Sequence, residues 1–182
     1  CDVAVINKVD TARPDQVEAV RANIRACNPR ARIVLARSPL AVDRPELIRG
    51  RRVLVVEDGP TLTHGGMPHG AGFLAARQCG AAELVDPRPW LSGSLRETFT
   101  AYPGIGPVLP AMGYGPEQIR DLEATIAAVP CEAVVSGTPI DISRVLRTGR
   151  PVARVRYAHA DHGEPTLASV VLEMLVGRMC CP

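Results

Sequence analysis

Aromatic residues and an excess of charge of one sign are both scarce in this sequence. Phe, Tyr and Trp make up 3% of the 182 residues, and the formal net charge is +2. A base-stacking surface needs aromatic side chains and a phosphate-binding surface needs clustered cations, so we expect no nucleic-acid partner. Lysine is almost missing as well, because 20 of the 21 basic residues are arginine. The single lysine, Lys8, therefore stands out as a residue with a special role.

Three kinds of motif are also missing. No apolar run is long enough to span a bilayer, so we expect no membrane partner. The six cysteines form no Cys-x-x-Cys pair and no zinc-finger pattern, which is typical of a reducing cytoplasm; the role of Cys180 and Cys181 stays open. The chain contains no Gly-x-x-x-x-Gly-Lys-Ser/Thr phosphate loop. Since a strand pattern follows Cys1 at once, we expect a piece of a longer protein whose phosphate loop lies upstream.

Short runs rich in Val, Ile and Leu alternate with helical patterns along the chain. This alternation predicts an α/β fold with a Rossmann-like parallel sheet flanked by helices. The predicted strands are Val3–Ile6, Ile33–Leu35, Val53–Val56, Ala82–Val85, Pro107–Leu109, Ala133–Ser136 and Val152–Val155. The predicted helices begin near Pro14, Gly70, Ser94, Pro116, Ile140 and Thr166. Segment 38–50 contains two prolines and is predicted to be a linker, which divides the chain into domains of residues 1–50 and 51–182.

The segment Asn7-Lys8-Val9-Asp10 lies directly after the first predicted strand and before the first predicted helix. In such a loop the Asp carboxylate can accept hydrogen bonds from the ring N–H and the exocyclic amine of guanine, because both are donors. The Lys stem can cover the base, and the Asn can tie neighbouring loops together. The alternative is a polar turn in which Asp10 caps the following helix. We favour the first interpretation and predict that Asn7, Lys8 and Asp10 bind a nucleotide.

A glycine-rich segment, residues 57–72, follows an apolar strand and precedes a helix. Its five glycines and the helix N-terminus allow main-chain N–H groups to approach an anion closely. Glu57 and Asp58 are predicted to bind Mg²⁺ at the carboxyl end of the strand. The predicted substrate contacts are Thr61, Thr63, Gly65, Gly66 and Gly70, and the predicted catalytic residues are His64 and His69. The alternative is an unstructured connection without a ligand, which is unusual at this length in a compact domain.

Three later segments also follow predicted strands. Arg88 lies between two prolines, which predicts a stiff extended mount for a catalytic guanidinium that binds phosphate or carboxylate; a rigid turn with a solvated Arg88 is the alternative. Thr138 and Asp141 are predicted to contact the substrate, and helix capping by Thr138 is the alternative. The turn-rich segment 102–115, which contains the predicted strand Pro107–Leu109, is interpreted as turn chemistry, and the alternative is that it shapes the wall of a pocket.

Together these segments resemble the cyclic 2,3-diphosphoglycerate synthetase family and its predicted P-loop GTPase relatives. The resemblance rests on NKVD, a Ser-Pro-Leu segment, VLVVEDGPTLTHGGMPHGAG, AAELVDPRPW, SGTPID and PVARVRY, and it covers nearly the whole chain. It implies that residues 1–50 are the C-terminal remnant of a P-loop nucleotide-binding domain, with Asn7, Lys8 and Asp10 in the base-recognition loop. It also implies that residues 51–182 bind the substrate and its phosphates, with Arg88 close to them.

The resemblance implies a nucleotide-dependent ligase of the cytoplasm that uses ATP (or GTP) and Mg²⁺. The family reaction joins the two phosphates of 2,3-bisphosphoglycerate into an internal anhydride. In the expected scheme ATP phosphorylates one substrate phosphate, the neighbouring phosphate then expels inorganic phosphate, and His64, His69 and Arg88 neutralise charge. A regulatory or metal-delivery GTPase is the alternative, and a non-catalytic ligand-binding domain is a third. We expect a phosphorylated small molecule as the partner and leave a homodimer open.

Overall fold

The computed structural model of the protein describes residues 1–179. The chain forms two compact units. The first unit combines residues 1–39 with the segment that begins at Tyr157, and the second is Leu40–Arg156. The first unit is therefore discontinuous in sequence, and the second is inserted into it. Cys180 and Cys181 lie outside the described residues.

The elements follow one another in an α/β order. They are β1 (Val3–Ile6), α1 (Pro14–Cys27), β2 (Arg32–Arg37), β3 (Leu40–Val42), β4 (Arg52–Asp58), α2 (Gly59–Thr63), α3 (Ala71–Gln78), β5 (Glu83–Leu84), α4 (Ser94–Ala101), β6 (Leu109–Ala111), α5 (Pro116–Ala128), β7 (Ala133–Ser136), β8 (Val152–Tyr157), β9 (Ala160–Asp161) and α6 (Leu167–Met179). In the described residues, no helix has the length and apolarity that crossing a membrane requires.

The first unit is built on a three-stranded sheet in the order β1-β2-β9. Strand β1 pairs in parallel with β2, and β9 pairs antiparallel with the end of β2. Helix α1 connects β1 to β2. It begins with Pro14, whose missing N–H costs nothing at a first helical position, and Asp15 and Arg25 lie at the ends where the helix dipole favours their charges.

The second unit is a six-stranded sheet in the order β3-β8-β7-β4-β5, with β6 also paired to β4. The pairs of β4 with β5, β6 and β7, and of β7 with β8, are all parallel. Strand β4 is central: Val53–Val56 are fully buried, as expected for a parallel strand with helices on both faces. The prediction of an α/β fold with a sheet flanked by helices is therefore confirmed.

Two segments differ from the sequence-based prediction. Segment 57–72 is not an unstructured connection, because Gly59–Thr63 form the short helix α2. Pro60 suits the first turn of this helix and Leu62 is buried beneath it, and both effects favour helix over loop. The helix predicted near Ile140 is only a 3₁₀ turn, Ile142–Arg144, in which the Asp141 side chain accepts a hydrogen bond from the main-chain N–H of Ser143.

The units also divide at a different place from the predicted domain boundary at residue 50. Segment 38–50, predicted as a linker, contains β3 and a 3₁₀ turn, Pro45–Leu47. Ile48 is fully buried in the core of the second unit, and Leu40, Val42 and Leu47 pack against that core. The two prolines, the mixed charges and Gly50 suggested a linker, whereas the packing of the apolar residues against the core decides the structure. The roles assigned to domains 1–50 and 51–182 stay predictions.

Candidate functional site

The carboxyl ends of β4 and β7 form the natural ligand position in the second unit. Strand β4 has β7 on one edge and both β5 and β6 on the other. The chain leaves β4 toward β5 on one side and leaves β7 toward β8 on the other. In open α/β sheets, ligands bind outside the carboxyl ends of strands at such a change of direction. Asp58 ends β4 and Ser136 ends β7, so both lie at this point.

Glu57 is buried at this edge and holds the start of helix α3. Its Oε1 accepts hydrogen bonds from the main-chain N–H of Gly70 at 3.1 Å and of Phe73 at 2.8 Å. Burial raises the pKa of the Glu57 carboxyl, and the negative charge of Asp58 adds to this rise, while the amide hydrogen bonds from Phe73, Gly72 and Gly70 oppose it. Glu57 thus takes the place that an external anion would take at this helix N-terminus.

Three glycines make room for this arrangement. A Cβ on Gly70 would lie 2.6 Å from Glu57 Oε2, and a Cβ on Gly72 would lie 3.1 Å from the main-chain N of Gly137. A Cβ on Gly137 would collide with Glu57 Oε2. The glycines were predicted to let an anion approach main-chain amides, and they do, but the anion is the protein's own carboxylate. The amide of Gly70 is thus engaged by Glu57, and a substrate contact at Gly70 stays a prediction.

Glu57 and Asp58 were predicted to bind Mg²⁺, and one oxygen of Glu57 is already engaged within the protein. Oε1 of Glu57 is occupied by two amides, and the described residues contain no group of three His, Cys, Asp or Glu side chains arranged to hold a metal ion. Mg²⁺ is usually bound by one or two carboxylates together with substrate phosphates, so a group of three side chains is not required. Binding of Mg²⁺ by Glu57 and Asp58 stays a prediction, and we build no reaction step on it.

Asp58 lies in a different environment from Glu57. It is half-buried, its Oδ2 accepts a hydrogen bond from the Thr61 hydroxyl at 3.0 Å, and it makes no side-chain cap bond to α2. None of the ion pairs found among residues 1–179 includes Asp58. Its charge is close enough to raise the pKa of Tyr114, although burial of the phenol is the larger cause of that rise.

Tyr114, Thr138 and Ser136 are the hydroxyl groups at this edge. Thr138 is buried, and its hydroxyl group acts to lower the pKa of Tyr114 against the larger rise that burial causes. The Thr138 hydroxyl also lies 3.1 Å from Ser136 Oγ and donates to the carbonyl of Ile140 at 2.7 Å. We define the Asp58 site as Asp58, Tyr114, Thr138 and Ser136. It joins the ends of β4 and β7 with the loop after β6.

The predicted catalytic Arg88 is engaged within the second unit. It begins a 3₁₀ turn, Arg88–Trp90, rather than lying on an extended segment. Its guanidinium pairs with Asp86 at 2.6 Å, donates to the carbonyl of Ile105 and lies 5.0 Å from the ring centre of Phe99. Proline in the first turn favours the 3₁₀ conformation, and Asp86 accepts the turn's first amide. Arg88 therefore acts as a structural clamp in this state.

The two predicted catalytic histidines have different surroundings. His64 is exposed and its Nδ1 lies 3.0 Å from the Thr63 hydroxyl. The ring of His69 stacks on Phe73 with centroids 4.2 Å apart, and its Nδ1 is buried without a hydrogen-bond partner in the described chain. The geometry does not test a catalytic role for either residue.

The remaining predicted substrate contacts are spread over the edge. Thr63 donates to the carbonyl of Gly59, while Gly65 and Gly66 form the exposed turn after α2. Asp141 accepts from Ser143 and lies 3.5 Å from Arg154, and hydrogen bonds from Ser143 together with nearby arginines lower its pKa. Asp141 therefore caps a turn, whereas Thr138 belongs to the Asp58 site.

The predicted nucleotide loop lies in the first unit, at the carboxyl ends of β1 and β2. Asn7 Oδ1 accepts from the Lys8 amide at 2.8 Å and from the Ser38 hydroxyl at 3.1 Å, so Asn7 ties together the loops that follow both strands. Lys8 adopts a left-handed backbone conformation with φ of 60°, which is unusual for a residue other than glycine and typical of functional loops.

The Asp10 side chain is exposed, and no hydrogen bond or ion pair of it is found among residues 1–179. The alternative role of Asp10 as the cap of α1 is not observed, because Arg13 occupies the N-cap position of α1. Asp10 is thus available to a ligand. Nucleotide binding by Asn7, Lys8 and Asp10 stays a prediction.

Sequence reasoning missed Ser38, Tyr114 and Ser136. Tyr114 was interpreted as part of a turn, yet the Gly113-Tyr114-Gly115 sequence directly after a short strand was the signal that could have revealed it. Ser136 ends an apolar strand, and its alignment with the end of β4 depends on sheet order, which the sequence does not supply.

Comparison with known proteins gives one strong similarity. No model of a known protein family matches the chain. The chain is 51% identical over 172 residues to arginine synthetase ArcE of Thermococcus kodakarensis, a match that covers 94% of this chain and 38% of the relative. The chain thus spans well under half the length of this curated relative. The relative's name differs from that of the family that the motifs resemble. The similarity to a protein named a synthetase indicates that this chain belongs to an enzyme.

Proposed function

We propose that this chain is part of a nucleotide-dependent synthetase, with the base-recognition loop in the first unit and the substrate site in the second. The observation that carries the proposal is the loop Asn7–Asp10. Its Asn7 side chain is fixed by Ser38 and Lys8, and its Asp10 carboxylate is exposed at the carboxyl ends of β1 and β2. This arrangement suits recognition of the donor edge of guanine, as the pattern predicts.

The substrate that we favour is an amino acid with a guanidino group or its precursor. The similarity to a relative named arginine synthetase supports this choice. The second unit supports it as well, because its strand-end edge presents the carboxylate of Asp58 while Arg88 and the amides of α3 are engaged internally. An edge of this kind attracts cations and offers little to a phosphate.

The reaction class follows from the chemistry of such a product. Formation of a carbon–nitrogen bond at a guanidino carbon requires an activated oxygen as leaving group, which phosphoryl transfer from ATP (or GTP) supplies. A nitrogen nucleophile then displaces phosphate and yields the product, a nucleoside diphosphate and inorganic phosphate. Positioning and exclusion of water carry most of such a reaction, so no protein nucleophile is required.

Ring closure of 2,3-bisphosphoglycerate is the second candidate. The resemblance of residues 57–72 to the cyclic 2,3-diphosphoglycerate synthetase family favours it. This reaction crowds several negative charges together, so Arg88 would have to leave Asp86 and an anion would have to displace Glu57 from the amides of α3. A GTPase switch is a third candidate, and it would hydrolyse GTP without a small-molecule substrate.

The Asp10→Asn variant tests the nucleotide part of the proposal. In calorimetric titrations of the full chain with GTP, GDP, ATP and ADP, we expect the variant to lose at least about tenfold in affinity for the guanine nucleotides, because it replaces an acceptor of two base N–H groups by a weaker one. Asp15→Asn, in the first turn of α1, is the control and should bind as the wild type does. Equal affinities of wild type and Asp10→Asn would contradict the assignment of this loop.

Turnover separates the three candidates. The assay needs a longer polypeptide that contains this chain and also a part corresponding to the rest of the relative. Its phosphate release should be measured with guanidino-type precursors, with 2,3-bisphosphoglycerate and with neither. The favoured proposal predicts phosphate release coupled to arginine formation. Release coupled only to 2,3-bisphosphoglycerate would support the second candidate, and release without a substrate would support the switch.

A further inference from the structure

The first unit has a small apolar core. Among the residues whose structure is described, its buried apolar residues are Ile6, Ala31, Ile33, Val34, Ala36 and Val170, and none of them lies in α1. Burial of apolar surface is the main favourable term in folding, so a three-stranded sheet with two helices needs more of it to be stable alone. The first unit therefore lacks part of the packing that a complete α/β unit has.

Helix α6 is apolar on nearly all sides. Glu173 is the only charged residue in segment 167–176, and it pairs with Arg32 of β2 at 2.7 Å. Val170, one turn earlier, is fully buried, so this side of the helix is directed toward the sheet. A helix that is apolar all round is normally buried all round. On α6, however, four apolar side chains are 41–61% exposed: Val171, Leu172, Leu175 and Val176.

Strand β1 has one free edge. In the described part of the chain it pairs with β2 alone. The carbonyl of Asp2 accepts from the amide of Arg32, which shows which alternate residues direct their main-chain groups to β2. The N–H groups of Val3 and Val5 therefore point to the opposite, open edge. An open edge of this kind can pair with a further strand.

A groove joins the free strand to the apolar helix. Its volume is about 310 Å³, and it is lined by Asp2, Val3, Val171, Met174 and Leu175. Val5 lies on the same face of β1 as Val3, because side chains alternate along a strand, and it is 43% exposed. We define the β1–α6 surface as Val3, Val5, Val171, Leu172, Leu175 and Val176. It is a continuous apolar surface, and surfaces of this kind mark interaction sites.

Two occupants of this surface come into question, a second copy of the chain and a further part of the same polypeptide. A two-fold contact between copies would pair β1 with itself in antiparallel fashion. The β1–β2 pair is parallel, and parallel sheets are extended by crossover connections within one chain. The matched region is only 38% of the relative, so a protein of that length has enough further chain to supply a strand and an apolar face. These observations favour the further part of the polypeptide.

We propose that the β1–α6 surface is the docking surface for the rest of a longer polypeptide, which adds a strand to β1 and covers the exposed side of α6. The occupant is the part that corresponds to the region of the relative outside the match. Docking there brings that part next to the loop Asn7–Asp10, because this loop follows the end of β1 directly. The surface itself does not depend on the proposed function.

Hydrogen exchange in the full chain alone and in the longer polypeptide tests the added strand. The amides of Val3 and Val5 should exchange at least about tenfold more slowly in the longer polypeptide, because they then donate to the new strand. The amides of β7 are the control and should exchange alike in both proteins, since β7 already has a paired neighbour on each side. Equal exchange of the Val3 and Val5 amides in the two proteins would contradict the added strand.

Leu172→Glu tests the exposed side of α6. In the chain alone this side chain is 61% exposed, so we expect the urea midpoint to move by less than about 0.3 M. In the longer polypeptide the charge would be buried, and the midpoint should fall by at least about 1 M. Leu74→Glu, at an exposed leucine of α3, is the matched control and should shift both proteins equally. Equal shifts for Leu172→Glu as well would overturn the docking assignment.

Light scattering distinguishes the two occupants. A monomeric chain whose Val3 and Val5 amides become protected only in the longer polypeptide supports the proposal. A dimeric chain in which these amides are already protected, and which Leu172→Glu converts to a monomer, would identify a second copy as the occupant and would refute the proposal.

The outcome for the docking surface is independent of the outcome for the nucleotide loop. If Asp10→Asn loses affinity for guanine nucleotides while the Val3 and Val5 amides stay unprotected in the longer polypeptide, the nucleotide assignment stands and the docking surface fails. If the amides become protected while Asp10→Asn binds nucleotides as the wild type does, the docking surface stands and the nucleotide assignment fails.

Discussion

Glu57 is a titratable residue at the centre of the second unit. Because burial raises its pKa above the ordinary value of 4.5, the folded protein holds this proton more tightly than the unfolded chain does. The stabilisation is complete below pH 4.5 and is lost as the pH rises through the raised pKa. Two amide hydrogen bonds to the charged form moderate this loss without reversing it.

The comparison of wild type with Glu57→Gln tests this sign. Urea unfolding between pH 4 and 8 should show that the free energy of unfolding of the wild type, minus that of the variant, falls as the pH rises, by up to about 1.4 kcal/mol per pH unit at its steepest. Other titrating groups are common to both proteins and cancel in the difference. A difference that grows with pH would show that the amides outweigh burial and hold Glu57 as a carboxylate.

The sequence predicted more of the geometry of the proposed nucleotide loop than of the Asp58 site. Asn7, Lys8 and Asp10 lie within four consecutive residues, so the sequence alone predicts that they are close in space. The Asp58 site combines residues from three strand ends, and its hydroxyl pairs exist only after the sheet has formed. Arg88 and Gly70 are already paired with Asp86 and Glu57, which a sequence does not show, and their roles at a substrate site stay predictions.

Helix α3 is held against the sheet by a contact between backbones. Its residue Gly72 lies so close to Gly137 that a Cβ on Gly72 would lie 3.0 Å from a side-chain atom of Val55 and 3.1 Å from the main-chain N of Gly137. Glu57 joins the same contact through the amides of the first turn. These contacts therefore hold the N-terminus of α3 in one position next to the carboxyl ends of β4 and β7.

Gly137→Ala should disturb this contact. Its new methyl group would lie 2.6 Å from the main-chain N of Gly72, and we expect a loss of about 1–3 kcal/mol in the free energy of unfolding, as for other overpacked sites. Gly104→Ala is the control: no atom lies within 4 Å of the added methyl group and its backbone is not left-handed. It should change stability little or raise it by up to about 1 kcal/mol. Equal effects in urea unfolding would contradict the close contact.

Elements with a strong apolar period were predicted well. Strands β1, β4 and β7 and the starts of α4 and α5 follow the sequence patterns closely. Strand β3 and helix α2 were missed, because each is short and contains or adjoins proline, and their stability comes from packing of Leu40, Val42 and Leu62 rather than from a local period.

At the scale of the whole molecule, the second unit is continuous in sequence and has its own core. Residues 40–156 should therefore fold alone and unfold cooperatively in urea, with circular dichroism typical of an α/β protein. Residues 51–156, cut at the predicted domain boundary, lack the fully buried Ile48 and strand β3. We expect this shorter piece to lose at least about 3 kcal/mol or to remain unfolded, because its core is opened. Equal stability of the two pieces would favour a boundary near residue 50.

The first unit resumes where the second ends. The amide of Ala158 donates to the carbonyl of Pro39 at 3.4 Å, so the two points at which the inserted unit joins its host are neighbours. A different α/β module whose termini lie equally close could be grafted between them without stretching the host. The inserted unit could thus be exchanged as a cassette. If the loop Asn7–Asp10 binds a nucleotide as proposed, a chimera of that kind would keep this nucleotide and bind a different small molecule.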